Sequence, residues 1–236
     1  MTSDNERYAI YWTPDASHPL WAAGCEWLGR DPSLATDITL AEPARPNVQS
    51  PARYGFHATL KAPVRLAAGS SIEDLRRAAA ALAKRHHVFE MPALHVEWLQ
   101  DFIALRPAAP LHATHPLRQL ADACVVELDE FRAPAPAAEI ARRAAQAADG
   151  DGSGLALLAR WGYAHVFGSW RFHMTLSDRF ADRHSEAARQ LEHEARAWFS
   201  RSLAQPLHCT ALCIFHEAGA GVPFRLIERL PLKGAT

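Results

Sequence analysis

Phe56-His57-Ala58-Thr59-Leu60 recurs as Phe172-His173-Met174-Thr175-Leu176, 116 residues further along the chain and differing only at its middle residue. A β-strand turns successive side chains to opposite faces. In each copy Phe, the middle residue and Leu therefore share an apolar back, while His and Thr share a front. Brought together, the two fronts offer two imidazoles and two hydroxyls.

The stretches downstream of the two copies also match. Ser70-x-x-Glu73 has the form of a capping box and opens a helix with Ile72, Leu75, Ala79 and Leu82 on one side. Pro92 and strands over 94–98 and 102–105 come next. After the second copy, Ser185 caps a helix with Leu191, Ala195, Trp198 and Phe199 on one side. Pro206 then leads to strands over 207–215 and 222–230, joined by Ala218-Gly219-Ala220-Gly221. His and Pro are separated by 35 residues in one copy and 33 in the other. The repeat is thus a unit of strand, helix, strand and strand, and it predicts a duplicated α+β fold with two lobes facing each other. The lobes span roughly 50–130 and 155–232 of a single two-lobed domain covering 1–236. A strand over 7–12 and a helix over 18–28 pack onto them, and residues 31–52 read as a loop. Residues 131–154 hold a helix over 139–148 and a Gly-rich loop (Gly150 to Gly154), and read as an insertion edging the cleft.

Composition narrows the partners. With 25 Lys and Arg against 26 Asp and Glu, the net charge of −1 provides no broad positive field for a long nucleic acid. The four cysteines (Cys25, Cys124, Cys209, Cys213) include one close pair without a second, so they read as buried thiols rather than a zinc site. No leader-like or membrane-spanning apolar run is present, and a cytoplasmic location is expected. His86, His87, His112, His115 and His193 lie in polar stretches without a metal-binding motif and read as surface residues.

Strict alternation puts Gly55, His57, Thr59 and Lys61 on one front, and Arg171, His173, Thr175 and Ser177 on the other. Gly55 leaves room for a ligand. Lys61 and Arg171 supply cations suited to a phosphate. Imidazoles titrate near ~6.5, so one can be neutral while the other is protonated. The neutral ring takes a proton from the attacking oxygen and the charged ring gives one to the leaving oxygen. The threonines Thr59 and Thr175 bond the non-bridging oxygens. This points to metal-independent hydrolysis of a small phosphodiester, with no cofactor. Two other readings stay open: a non-catalytic phosphate- or nucleotide-binding module, and a metal-dependent phosphoesterase.

Longer strings carry a resemblance. Arg53-Tyr54-Gly55-Phe56-His57-Ala58-Thr59-Leu60-Lys61-Ala62-Pro63, Arg7-Tyr8-Ala9-Ile10-Tyr11-Trp12, Trp27-Leu28-Gly29-Arg30-Asp31 and Arg160-Trp161-Gly162-Tyr163 before Arg171-Phe172-His173 resemble the two-histidine phosphoesterase superfamily. Within it they are most similar to a branch linked to phosphonate metabolism and carbon–phosphorus lyase genes. The likeness spans residues 7–232. It implies a pseudo-symmetric bilobal fold, with antiparallel sheets facing a central cleft and helices outside. It implies that His57 and His173 are the acid/base pair and that Thr59 and Thr175 contact phosphate. It further implies a small cyclic phosphodiester as substrate, a ribose 1,2-cyclic phosphate being the candidate for this branch. Tyr54 is a further substrate contact, and Tyr163, Trp161 and Arg160 are candidates for the cleft wall. Ala164-His165 stands where that branch has Pro-Tyr.

Overall fold

The computed structural model describes residues 5–34, 45–146 and 152–235. β1 (Arg7–Trp12) and α1 (Pro19–Leu28) lead to α2 (Gln49–Tyr54), which precedes β2 (Ala58–Val64), the strand of the first repeat. α3 (Ile72–Ala83), β3 (Phe89–Glu90), β4 (Leu94–Leu99), β5 (Phe102–Pro107) and α4 (Pro116–Glu127) come after it. α5 (Ala137–Gln146) and α6 (Ser153–Trp161) come before β6 (Met174–Thr175), the strand of the second repeat. The remaining elements are α7 (Glu186–Leu203), β7 (His208–Cys209), β8 (Ala211–Glu217) and β9 (Arg225–Pro231).

The fold is α+β: seven strands form one antiparallel sheet in the order β4-β5-β6-β2-β1-β8-β9, and β3 and β7 form a small separate pair. The expected repeat is present, but its two halves share this one sheet rather than building one each. β2 pairs with β6 at the centre, Ala58 opposite Met174. The hairpin that comes after β2 (β4–β5) lies beyond β6, and the hairpin that comes after β6 (β8–β9) lies beyond β2, with β1 between. Central pairing satisfies strand edges that would otherwise stay open, and the crossed hairpins interlock the halves.

Alternation divides the sheet into two unlike faces. Ile10, Trp12, Ala58, Leu60, Ile103, Leu105, Met174, Leu212 and Ile214 belong to the main core. That back face lies under α1, α3, α4 and α7. The opposite parity gives Ala9, Tyr11, Cys213 and Phe215, which form a smaller cluster with Phe224 on the front. Burial within the repeats obeys the expected pattern: Phe56, Ala58, Leu60, Phe172, Met174 and Leu176 are buried, while His57, Thr59, His173 and Thr175 are only half-buried.

Some boundaries shift. The capping box of α3 uses Ser71 and Asp74, one residue later than Ser70 and Glu73, with Asp74 N–H bonded to Ser71 Oγ at 3.2 Å. α2 begins inside the stretch read as a loop and runs two residues past it. Its N-terminus is held by Asp178, whose carboxylate accepts from Gln49 N–H at 3.0 Å and Ser50 N–H at 2.6 Å. Residues 150–151 of the Gly-rich loop and 35–44 of the stretch 31–52 lie outside the described residues, and α6 starts at Ser153, inside the stretch read as a loop, after Gly152 turns the chain at φ 73°. All four cysteines are buried free thiols. Among the described residues no helix is long and apolar enough to cross a membrane.

Gly24 of α1 packs against Phe56, the residue before His57. A Cβ built there would stand 2.1 Å from Phe56 Cδ1, and Phe56 is fully buried with no space to retreat. Alanine gains about 1 kcal/mol of helix propensity over glycine, whereas overpacking costs about 1–3 kcal/mol or more. Gly24→Ala is expected to lower the urea midpoint despite the better helix former; an unchanged or raised midpoint would contradict this packing.

Candidate active site

The register of β2 and β6 assembles the face. With Ala58 opposite Met174, extending the antiparallel ladder sets His57 beside Thr175 and Thr59 beside His173. The four side chains occupy the corners of one square. The histidines are diagonal, a relation that places residues roughly 7–8 Å apart.

Each imidazole is pinned in the same way. His57 Nδ1 lies 2.8 Å from the carbonyl of Gly55, and His173 Nδ1 lies 2.8 Å from the carbonyl of Arg171. A carbonyl only accepts, so Nδ1 carries the proton in both rings and the lone pair sits on Nε2. In His57 that nitrogen is 3.3 Å from Thr59 Oγ1. Gly55 itself has φ +81°, and its Cα faces Pro32, whose Cγ would lie 2.8 Å from a Cβ. The glycine therefore turns the chain from α2 into β2 against Pro32, and does not clear the space for a ligand that its alternation predicted.

The two rings differ in their surroundings. Tyr11, fully buried on β1, stacks on His57 with centroids 3.8 Å apart. Burial drives the His57 pKa down to about 4, against the pull of the Gly55 carbonyl, and the charge of His173 lowers it further. His173 is also lowered, first by burial, with the Arg171 carbonyl opposing and the charges of Arg106 and His165 adding to the fall. Arg106 faces it from β5: Thr175 pairs with Ala104 and Met174 with Leu105, so the next step of the register sets His173 beside Arg106. Phe102 approaches the same ring at 5.8 Å.

A cavity of about 570 Å³ opens over this face, with Thr59, His173, Arg171, Tyr163, His165 and Arg143 in its wall. His57 does not line the cavity itself; its Nε2 lies 3.3 Å from Thr59 Oγ1, which does. Arg171 is exposed and donates to the carbonyls of Gly168 at 2.8 Å and Trp170 at 3.0 Å, with no carboxylate partner among the described residues. Tyr54 stands 6.2 Å from His57 and stacks on Phe224, on the front face but outside the cavity wall. Thr175 likewise lies on the face without lining the cavity. Of the wall candidates Tyr163 lines it, whereas Arg160 covers Trp161 and pairs with Asp129 at 3.4 Å.

Lys61 is not at the site. Tyr11 pairs with Thr59 but Ile10 pairs with Lys61, so β2 carries one extra residue, a β-bulge. The bulge resets the alternation and sends Lys61 to the back face with Leu60. There it is buried, donating to the Val125 carbonyl at 3.0 Å and to Asp129 at 3.2 Å. Ser177 is also redirected: its hydroxyl accepts from Ile103 N–H at 2.9 Å and donates to the Asp178 carbonyl, and the residue is buried. Sequence reasoning missed Tyr11, Arg106 and Arg143. Tyr11 had a usable signal, since Ala9, Tyr11 and Thr13 alternate; Arg106 had none, because nothing local says that β5 pairs with β6.

Among the described residues no group of three His, Cys, Asp or Glu side chains is placed to hold a metal ion.

Comparison with known proteins adds the family. The chain is 35% identical over 236 residues to a protein of Janthinobacterium sp. (strain Marseille) named ribose 1,5-bisphosphate phosphokinase PhnN, covering 97% of this chain and 51% of that one. A protein of Laribacter hongkongensis (strain HLHK9) with the same name is also 35% identical over 236 residues, covering 98% of this chain and 53% of its own length. The chain thus spans about half the length of these relatives. A family model described as "Protein of unknown function (DUF1045)" matches residues 59–225, from the first Thr of the paired motif to the last strand, and the chain belongs to that family.

Proposed function

We propose that this protein hydrolyses a small cyclic phosphodiester of a ribose or nucleoside, using His57 and His173 as base and acid without a metal. The observation that carries this reading is the pair of identically pinned imidazoles, diagonal on one strand face with a threonine beside each. His57, stacked on Tyr11 with its pKa pushed down by burial to about 4, stays neutral and takes the proton of the attacking water. The water oxygen bonds to phosphorus and the bond to one ring oxygen breaks. His173, protonated, gives its proton to that oxygen, leaving a phosphomonoester. Thr59, Thr175 and Arg171 hold the non-bridging oxygens, where charge must be stabilised. Each proton transfer is worth roughly 10² to 10⁴ in rate.

The relatives' name supports a ribose phosphate as the ligand class. Water attack on a ribose 1,2-cyclic phosphate with departure of O2 leaves a ribose phosphorylated at C1, one of the two positions phosphorylated in the ribose 1,5-bisphosphate of that name. This agrees with the phosphonate-metabolism setting implied by the sequence motifs. This chain contains no G-x-x-x-x-G-K-[ST] phosphate cradle. We therefore assign kinase chemistry to the part of the longer relatives that lies outside the match, and the preceding hydrolysis to this part.

With EDTA present, turnover of ribose 1,2-cyclic phosphate, monitored by phosphorus NMR, is expected to persist. His57→Ala and His173→Ala are each expected to lower kcat/KM by about 10³ or more with an unchanged circular dichroism spectrum. Near-full activity in either variant would sink the paired mechanism, and steady binding without any turnover in wild type would favour a binding module instead.

The pH dependence is set by the two shifts. The base must be neutral, so kcat/KM falls as pH drops through the His57 value near 4. The acid must be protonated, so kcat/KM falls as pH rises through the His173 value, which lies below the ordinary 6.5. A bell with its maximum on the acid side of 6.5 is expected for kcat/KM; a maximum above pH 7 would show that burial does not set these rings.

A further inference from the structure

A second cavity, about 530 Å³, adjoins the first and shares Trp170 and Arg171 with it. Its other wall is the far end of the β4–β5 hairpin, where His95 pairs with Arg106, together with Arg118 from α4. Its charges are unbalanced. Glu97 accepts from Arg106 at 2.6 Å, whereas Arg118 donates to the Phe167 carbonyl at 2.7 Å and has the Asp122 carboxyl of its own helix near it without a hydrogen bond between them. Arg171 likewise bonds only carbonyls. Three guanidinium groups against one carboxylate make this wall net positive even with Arg171 shared with the first cavity, which suits a phosphomonoester carrying nearly two negative charges at neutral pH. One buried donor in the same wall, Arg106 Nε, has no hydrogen-bond partner among the described residues, and His95, whose Nε2 lies 3.5 Å from Glu97, leaves its Nδ1 without one as well. A buried donor left unpaired costs about 1–3 kcal/mol, which an anion in the cavity relieves.

We propose that this cavity binds a second phosphate, a phosphomonoester on the same sugar whose cyclic diester sits at His57 and His173. The proposal rests on the hydrolase reading and adds to it the substrate class: a cyclic phosphodiester that also carries a phosphomonoester. Position supports it. Arg106 is the cross-strand neighbour of His173 by the extended register, and Arg171 borders both cavities, so the two sites adjoin through these two arginines.

The test compares ribose 1,2-cyclic phosphate with its 5-phosphorylated form. Wild type is expected to prefer the phosphorylated substrate by tenfold or more in kcat/KM. Arg118→Ala is expected to remove most of that preference while changing turnover of the unphosphorylated diester less than twofold. His95→Gln, a second variant, should weaken the preference in the same direction. No preference in wild type, or equal loss on both substrates in the two variants, overturns the second site. If neither diester is turned over, the hydrolase reading fails by itself and calorimetry with ribose 5-phosphate decides. Binding that weakens tenfold in Arg118→Ala but not in His57→Ala supports the site, and binding that is absent or indifferent to Arg118 rejects it.

Discussion

The pairing of Ala58 with Met174 governs this structure. Among the described residues it is the one ladder pair between the strands of the two repeats, and side chains alternate with a period of two. A slip of one residue would exchange the faces, sending the His/Thr set of one strand into the core and its Phe/Leu set into water. The register is fixed from behind. Phe56 packs beneath α1 at Gly24, and Trp27 of α1 donates its indole N–H to the Leu176 carbonyl at 2.8 Å. A single helix therefore grips both repeat strands through their apolar backs, and the chemistry of the front depends on that grip. Asp178 extends the same coupling, because it comes just after the second repeat yet caps the helix that leads to His57.

Placing two imidazoles on a half-enclosed face has an electrostatic consequence. Burial disfavours their charged forms, and each ring's Nδ1–H is already committed to a backbone carbonyl. The unliganded face is therefore mostly neutral in its histidines, and its fixed positive charge comes from arginines around the rim. An arriving phosphate diester brings one negative charge to a low-dielectric spot beside both Nε2 atoms. That charge raises the stability of an imidazolium there. In the proposed reaction the substrate thus helps to create the acid that cleaves it.

The repeat, its faces and its buried backs were legible in the sequence because a period of two is a local property. Residues 56–60 and 172–176 behave as their alternation requires. The reading failed where a local pattern meets a tertiary constraint. Lys61 breaks parity because β1 and β2 accommodate one extra residue, and no residue type near position 60 announces a bulge. Gly55 is forced by Pro32, a neighbour twenty-three positions away, rather than by a ligand. The shared sheet was hidden for a related reason. Hairpins β4–β5 and β8–β9 look like partners for the strands that precede them, and only the whole topology shows that each crosses to the other side. Arg106 comes to His173 by that crossing, so no reading of either half alone could have found it.

The departure from two-fold symmetry then acquires a chemical meaning. Going outward from β6 the next strand is β5, a repeat hairpin, but going outward from β2 the next strand is β1, which has no counterpart. β1 brings Tyr11 onto His57, while His173 meets Phe102 and Arg106 instead. Two groups with identical pKa values are found in one specified arrangement, base neutral and acid charged, about a quarter of the time at best; separated by two units they reach about four-fifths. In the proposed reaction a perfectly duplicated site would give its histidines no distinct roles. The additional N-terminal strand makes the rings unlike: Tyr11 stacks on His57, whose burial pushes its pKa down to about 4, while His173 faces Phe102 and Arg106.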